Sequence, residues 1–236
     1  MKSKATEKLI LSRSGDWSFD HHVSLVFDTH IRKSIPCYVE IQNLIAEISK
    51  KILSDNDLVY DLGTATGEII YNVFNANEHK NVSYVGIDNS GQMLKMAKQK
   101  CSKIKNATFY NDKIEAFDYE TADLIIAAFT IQFTEIKTRK QILKRIKDAL
   151  KSDGTFIFCE KISFQNFDEN IFFQQIHENW KSNYFSNKEI KAKRESLKNV
   201  MEPMSLTENI ELLRDVGFKQ INVFFQWCNF VCILAK

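Results

Sequence analysis

The sequence predicts an α/β fold in which a mostly parallel, seven-stranded sheet carries helices on its faces. Apolar runs typical of buried strands alternate with segments of helical periodicity along most of the chain. A loop containing two glycines follows the first strand, where folds of this class bind their ligands. Two closely spaced apolar runs near the C-terminus predict an antiparallel edge strand on the sheet.

The individual elements follow from the spacing of apolar residues. Residues 38–53 have the one-sided apolar stripe of a helix and complete a predicted N-terminal helical cap, residues 1–53. Helices are also expected at about 66–74, from Ser90, at about 137–150, where the turn 152–154 ends the helix, and after a capping box at Ser205. Strands are predicted at 58–60, 82–87, 107–110, 124–128, 155–160, 221–225 and 230–235. Residues 161–204, dense in aromatic and charged side chains, are predicted to form a helical insertion before the last strand pair.

Composition limits the classes of protein that the chain can belong to. A length of 236 residues with only 7 Gly and 2 Pro favours a single domain, 1–236. The net charge of +2 gives no electrostatic argument for nucleic-acid binding. No apolar run approaches the ~18 residues of a membrane span, and no signal peptide is recognised, so we expect a cytoplasmic protein. The five cysteines and five histidines have no metal-ligand spacing, which predicts free thiols and no metal.

The loop 61–67 after the first strand is the predicted ligand site. Its glycines, Gly63 and Gly67, allow a sharp turn and a close approach of backbone to ligand. Asp88 ends the second strand, where a carboxylate can accept both ribose hydroxyls of an adenine nucleoside. Taken separately, the loop could be an ordinary strand-to-helix turn and Asp88 a helix cap, but together they favour a nucleoside site.

The type of nucleoside follows from the glycine pattern. The loop lacks the G-x-G-x-x-G spacing that cradles the pyrophosphate of a nicotinamide cofactor. Its Asp-x-Gly-x-x-x-Gly pattern instead resembles the first motif of class I methyltransferases, whose cofactor S-adenosylmethionine has no phosphate. Asp112, after the third strand, fits the adenine edge, and Ala128, at the end of the fourth, fits the wall near the methionine part.

Motifs outside the loop resemble one family more specifically. From about residue 15 to the C-terminus, the sequence is similar to carboxy-S-adenosyl-methionine synthases, and only the loop is shared with methyltransferases at large. The similar segments are 15–20, 26–28, 31–38, 60–63, 86–90, 129–133, 160–164, 189–190, 193–194, 199–201, 217–218 and 225–230. Among them are Gly86-Ile87-Asp88-Asn89-Ser90, Phe129-Thr130-Ile131-Gln132-Phe133 and Phe225-Gln226-Trp227-Cys228-Asn229-Phe230.

The resemblance implies a Rossmann-like class I methyltransferase fold with unusual chemistry. Enzymes of that family are dimers that use prephenate and S-adenosylmethionine, release phenylpyruvate, and place a carboxylate on the sulfonium methyl group. Their product serves a partner enzyme that carboxymethylates the wobble uridine of tRNA. The resemblance therefore implies that the bound ligand is S-adenosylmethionine or its carboxylated product, and that prephenate is the substrate. From the charge and the apolar runs, we expect no direct contact with nucleic acid or with a membrane. We also expect a homodimer in which 161–204 cross to the neighbour, because the aromatic residues there exceed what a monomer usually exposes.

The resemblance also assigns residues to the site. Arg194 is similar to the arginine that grips the new carboxylate, reaching across the dimer, and we predict that Arg194 and Tyr38 are catalytic. The complete predicted cofactor site consists of Tyr38, Asp61, Gly63, Thr64, Ala65, Gly67, Asp88, Asn89, Asp112, Lys113, Ala128 and Arg194.

Departures from the family pattern leave alternative functions open. The family usually has Cys-Ser at Thr64-Ala65, an asparagine at Ala128 and an apolar residue at Lys113. A plain S-adenosylmethionine-dependent methyltransferase acting on a small molecule is therefore one alternative. A non-catalytic tRNA-binding module is another, although a solvated helix face also explains the basic run and no aromatic stacking platform accompanies it. That run contains Lys137, Lys140, Lys144, Arg145, Lys147 and Lys151.

Overall fold

The computed structural model describes residues 21–236, with side chains from Ser24 onward. The family-like segment 15–20 and most of the N-terminal half of the predicted cap lie outside the described residues. Seven strands form one sheet: β1 (Leu58–Leu62), β2 (Ser83–Asp88), β3 (Ala107–Asn111), β4 (Ala122–Ala128), β5 (Leu150–Lys161), β6 (Ile221–Trp227) and β7 (Phe230–Ala235).

The strand order is β3-β2-β1-β4-β5-β7-β6. The first five strands are mutually parallel, whereas β7 runs antiparallel to both β5 and β6. The predicted mostly parallel sheet with an antiparallel C-terminal pair is therefore confirmed. The reversed strand, β7, lies one position in from the edge, because the hairpin inserts it between β5 and β6.

Eight α-helices connect and cover the strands of the described chain. Their bounds are α1 (His21–Arg32), α2 (Tyr38–Ile52), α3 (Glu68–Ala76), α4 (Gly91–Lys100), α5 (Ile136–Ala149), α6 (Phe167–Lys181), α7 (Asn187–Leu197) and α8 (Leu206–Asp215). The capping box predicted at Ser205 is confirmed, since its hydroxyl accepts from the Glu208 N–H and the Glu208 carboxylate accepts from the Ser205 N–H. Helices α6 and α7 form the predicted helical insertion.

Alternation along the buried strands divides the core into two layers. On one face of the sheet, strand side chains such as Ile125 and Phe156 pack with Ile142 and Ile146 of α5. On the other face, neighbouring strand residues pack with Ile41 of α2 and the apolar stripe of α3. Successive side chains of a strand point to opposite faces, so a continuous apolar run such as 124–128 is what a doubly covered strand requires.

The turn predicted at 152–154 is wrong. Helix α5 ends at Ala149 and Leu150 already belongs to β5, so no separate turn stops the helix. In the pairing of β4 with β5, Ala122 pairs with Leu150 and the next pair is Leu124 with Thr155. Residues 151–154 of β5 are therefore an irregularity within the strand. A Cβ at Gly154 would lie 3.0 Å from backbone atoms of Lys151, so the chain is tightly bent there. Glycine beside polar residues marks bulges as well as turns.

The insertion folds back over the carboxyl ends of the parallel strands. The ring of His177 on α6 packs against Phe230 of β7 with centroids 4.8 Å apart, and its Nε2 lies 2.9 Å from the carbonyl oxygen of Ser34. The Glu202 N–H donates to the carbonyl of Gln132 at 3.0 Å. These contacts place α6 and α7 opposite the loop that follows β1. Among the described helices, none has the length and apolarity needed to cross a membrane.

Candidate active site

A cleft of about 1160 Å³ opens at the carboxyl ends of the parallel strands. The loop after β1 and the ends of β2 and β4 form one wall, and the insertion forms the opposite wall. Ligand pockets for drug-sized molecules commonly measure ~300–1,000 Å³, so this cleft has room for more than one small molecule. Its position agrees with the rule that ligands of open α/β sheets bind beyond the strand ends.

Gly63 allows the loop backbone to approach the cleft. Its φ of +71° lies in the left-handed region, and its N–H donates to the carbonyl of Ile87 at 2.8 Å. A Cβ at this position would lie 2.4 Å from Oγ1 of Thr130, which itself donates to the carbonyl of Leu62 at 2.7 Å. Both the backbone conformation and the packing therefore require glycine here.

Two of the predicted site residues support the loop from beneath without lining the cleft. Oδ2 of Asp61 accepts from the Thr64 hydroxyl at 2.6 Å, and Oδ1 is buried without a partner among the described residues. Burial raises the pKa of Asp61 to about 7, against the hydrogen bond from Thr64 and with a smaller contribution from Asp88. Gly67 precedes α3 with φ of +76° and packs close to Ala97. We conclude that Asp61 and Gly67 shape the loop, and that neither lies on the cleft surface.

Asp88 shapes the same loop from the end of β2. Its Oδ2 accepts from the Ala65 N–H at 2.9 Å and its Oδ1 accepts from the Ser90 N–H at 2.8 Å. Burial raises the pKa of this carboxyl, and the two N–H donors oppose that rise. A carboxylate has about four acceptor positions, so each oxygen retains one for a ribose hydroxyl. Asp88 therefore has a structural function in addition to the predicted binding function.

The remaining predicted nucleoside contacts lie along the rim of the cleft. Asn89 is exposed beside Asp88, and Asp112 and Lys113 are exposed at the end of β3. Oδ1 of Asp112 accepts from the Lys113 N–H at 2.7 Å, and this local hydrogen bond orients the Asp112 carboxylate. The structure thus brings Thr64, Ala65, Asp88, Asn89, Asp112 and Lys113 to one side of a single cleft.

The inner end of this wall is formed by aromatic residues. Ala128 lines the cleft, and Phe129 after it has φ of +61°. The ring of Tyr38, at the start of α2, lies 6.3 Å from the ring of Phe129. Burial raises the pKa of the Tyr38 hydroxyl, and the carboxylates of Asp28, Asp61 and Glu68 raise it further. Tyr38 therefore stays neutral and can only act as a hydrogen-bonding phenol at physiological pH.

A charged network fastens α1 to the loop. One carboxylate oxygen of Asp28 accepts from the Thr66 hydroxyl at 2.5 Å and the other pairs with Lys100 at 2.7 Å. Glu68 at the start of α3 pairs with Arg32 at 2.9 Å and also with Lys100. These contacts hold α1 against the loop, and other residues of α1 line the cleft.

The insertion contributes a positively charged wall. We call Lys161, Lys181, Lys193 and Arg194 the cationic wall, since all four line the cleft. Nη1 of Arg194 pairs with Oε1 of Glu178 at 2.7 Å. Desolvation and then the charge of Lys181 lower the pKa of Lys161 to about 8, against the opposing charge of Glu178. Arg194 lines the cleft formed by its own chain.

Two histidines beside the cationic wall are neutral. Burial and then the neighbouring lysines lower the pKa of His30 and His177 to about 3. A carbonyl oxygen only accepts, so the 2.9 Å contact to Ser34 assigns the proton of His177 to Nε2. Sequence reasoning missed Lys161, Lys181 and both histidines as cleft residues. A signal for Lys161 was present, because it directly follows the buried run of β5 at the carboxyl end of the sheet.

The basic face of α5 is largely neutralised. Lys140 pairs with Asp215 at 2.8 Å, Lys137 with Glu135 at 2.7 Å, and Lys144 with Asp148. Lys151, just beyond the helix, pairs with Asp123 at 2.6 Å. This compensation removes the main argument for a tRNA-binding module. In the part of the chain that the structure describes, no group of three or more His, Cys, Asp or Glu side chains could hold a metal ion.

Known proteins that resemble this chain in sequence or in fold are methyltransferases or carboxy-S-adenosyl-L-methionine synthases. A family model described as a methyltransferase domain matches residues 53–215. Carboxy-S-adenosyl-L-methionine synthase of Nautilia profundicola is 38% identical over 221 residues, which cover 93% of this chain and 94% of the relative. The protein of the same name from Sulfurimonas denitrificans is 35% identical with the same two coverages, 93% and 94%.

A solved structure supports the fold. Human N-acetylserotonin methyltransferase, in complex with S-adenosylmethionine, superimposes with a TM-score of 0.63. The match covers 92% of this chain and 56% of the human protein, at 17% identity. The predicted Rossmann-like class I methyltransferase fold is confirmed.

Proposed function

Since the chain belongs to the carboxy-S-adenosyl-L-methionine synthase family, we propose that it converts S-adenosylmethionine and prephenate to carboxy-S-adenosylmethionine, phenylpyruvate and water. The water combines the ring hydroxyl of prephenate with the proton that the sulfonium methyl group loses. We also propose that it acts in the cytoplasm, and that its product feeds carboxymethylation of the tRNA wobble uridine. The observation that carries the proposal is one cleft with a nucleoside-binding rim on one side and a cationic wall on the other. A plain methyltransferase has no need of the second feature.

The residues present fit S-adenosylmethionine. Gly63 keeps the loop backbone at the cleft surface in a left-handed conformation, and Asp88 has one free acceptor position on each oxygen for the ribose hydroxyls. The loop has no third glycine to cradle a phosphate, which suits a cofactor that lacks one. When bound, S-adenosylmethionine supplies a sulfonium whose methyl group receives the carboxylate.

Arg194 is the residue we propose to hold that carboxylate. One guanidinium nitrogen, Nη1, is engaged with Glu178, and the planar fork retains other N–H groups for a second, bidentate partner. A fixed cation beside a sulfonium is unfavourable, because like charges repel. A carboxylate between the Arg194 guanidinium and the sulfonium attracts both positive groups, so the repulsion is replaced by two favourable contacts. The position of Arg194 is therefore reasonable for carboxyl transfer and hard to explain for methyl transfer.

The remaining residues act by position rather than by nucleophilic attack. Tyr38 remains a neutral phenol, so it can orient a polar group by hydrogen bonding without accepting a proton. The insertion forms the wall opposite the strand ends, and we expect it to limit the access of water once both reactants are bound. Holding two reactants close in a dry site accounts for large rate accelerations without any covalent step on the protein.

The family dimer is part of the proposal. Large apolar side chains of the insertion are exposed, with Phe167 at 76%, Phe172 at 57% and Tyr184 at 50% of their surface. A surface of this kind usually marks an interface. If two chains exchange 161–204, each cleft still receives one Arg194, from the neighbour instead of its own chain. The chemistry we propose is the same in both arrangements.

The Arg194→Ala variant tests the proposal. We expect it to lose affinity for the carboxylated ligand by about 2–4 kcal/mol, because a bidentate charge-assisted pair is removed. Affinity for unmodified S-adenosylmethionine should stay the same or improve. Titrations of wild type and variant with both ligands measure the difference, and Lys188→Ala, exposed on the same helix outside the cleft, is the matched control. Equal losses for both ligands, or a wild type that ignores prephenate and methylates an added acceptor, would favour the plain methyltransferase.

A further inference from the structure

Two lysines of the cationic wall are not explained by the binding of S-adenosylmethionine. Lys161 is the last residue of β5, two residues beyond Cys159, which is paired with Ala128 of β4. Its backbone N–H donates to Oε1 of Gln132 at 2.8 Å, which fixes the start of the side chain at the cleft. Lys181 is the last residue of α6, and it lines the same cleft.

In the part of the chain whose side chains the structure describes, neither lysine pairs directly with a carboxylate. Within residues 24–236, no carboxylate oxygen lies within 4 Å of the ammonium group of Lys161 or Lys181. The charge of Glu178 raises the pKa of both lysines, but its carboxylate is paired with Arg194 at 2.7 Å. His30 and His177 are neutral, so they add no positive charge, but they also offer no negative charge.

A desolvated ammonium group that has no directly paired carboxylate costs free energy. Desolvation lowers the pKa of Lys181 as well as that of Lys161, which is the expected response to such a site. Perturbed titratable groups facing a cleft are a frequent mark of a binding site. An anion bound between the two lysines would remove the cost.

We propose that Lys161 and Lys181 form the subsite for the carboxylate that the carboxyl donor keeps. This inference rests on the proposed function, in which the donor is a dicarboxylate and one of its two carboxyl groups is transferred. Arg194 is assigned to the transferred group, so the carboxylate that remains on the keto-acid product requires a separate cation. The two lysines are substrate-positioning residues of the cleft and have no role in binding the nucleoside.

The experiment compares Lys161→Met and Lys181→Met with the wild type. We expect KM for prephenate to rise about 10- to 100-fold, as for loss of a charge-assisted hydrogen bond, and the inhibition constant of phenylpyruvate to rise in parallel. The Kd for S-adenosylmethionine and kcat at saturating prephenate should stay within about twofold. Lys161→Arg, which keeps the charge, should recover most of the affinity. Lys191→Met, on α7 and outside the cleft, is the matched control.

The outcomes separate this inference from the proposed function. If the wild type converts prephenate and both variants keep its KM and its phenylpyruvate inhibition, the subsite is overturned and the proposed function stands. A parallel loss of S-adenosylmethionine affinity would show a structural role for the lysines and would also overturn it. If the wild type does not convert prephenate, the proposed function fails and the subsite fails with it. Lys161→Gln and Lys181→Gln replace the methionine variants if those do not fold.

Discussion

Replacing Asp88 by alanine tests the nucleoside site and its second, structural role together. The side chain accepts from the N–H groups of Ala65 and Ser90 at 2.9 and 2.8 Å. Both donors lie in segments that line the cleft. Asp88→Ala therefore removes the proposed acceptor for two ribose hydroxyls and, in the same change, two contacts that hold the loop.

The two consequences have different magnitudes. Losing a charged acceptor to the ribose should weaken S-adenosylmethionine binding by about 2–4 kcal/mol, which is a roughly 30- to 1000-fold change in Kd. Hydrogen bonds to a charged group contribute about 1.5–3 kcal/mol each, and the desolvation that raises the pKa of Asp88 offsets part of this. We expect the free energy of unfolding to fall by about 1–3 kcal/mol, so the variant folds.

Calorimetric titration measures the affinity, and urea denaturation of the ligand-free protein measures the stability. Asp118→Ala, exposed and outside the cleft, is the control for the loss of one carboxylate. The affinity and stability of Asp88→Asn should lie between those of the wild type and of Asp88→Ala. In this variant one side-chain oxygen remains an acceptor, while the amide group faces an N–H donor. A folded Asp88→Ala protein with unchanged affinity would refute the assignment of β2 to the nucleoside site.

Three further predictions concern the loop and the assembly. Gly63→Ala should lower the free energy of unfolding by about 2–5 kcal/mol, from the left-handed φ and the clash with Thr130, and a loss below about 1 kcal/mol in urea denaturation would contradict this. Burial raises the pKa of Asp61 to about 7, so the folded state keeps a proton that the unfolded state releases near pH 4. The contribution of Asp61 to the free energy of unfolding therefore falls as pH rises from 4 to 7. Relative to the wild type, the free energy of unfolding of Asp61→Asn should rise by as much as about 4 kcal/mol between pH 4 and 8. A difference between the two proteins that does not change with pH would be inconsistent with this pKa. Light scattering at micromolar concentration should give twice the chain mass of 27.5 kDa, whereas a monomer would rule out the dimer.

Much of the fold could be predicted because its signals are local. Ser205 and Glu208 lie three residues apart and form the capping box that their spacing indicates. The apolar run 124–128 is a buried strand covered on both faces, as its lack of alternation requires. Asp88 and the loop after β1 meet because parallel strands end at the same edge of the sheet.

The features that were missed depend on packing between distant segments. Gly154 belongs to a bulge because β4 continues to pair across it, which residues 152–154 alone do not indicate. Asp61 lies beneath the loop because Thr64 turns back to donate to it. Lys161 and Lys181 are 20 positions apart in sequence, and only the return of α6 over the sheet brings both to the cleft.

The most direct test of the account is the mass of the nucleoside product. We would incubate the purified protein with S-adenosylmethionine and with prephenate that carries a carbon label in its ring carboxylate, and then analyse the mixture by mass spectrometry. We expect a product heavier than S-adenosylmethionine by one carboxyl group, with the label in that group, together with phenylpyruvate. Unchanged S-adenosylmethionine, or a product without the label, would contradict it.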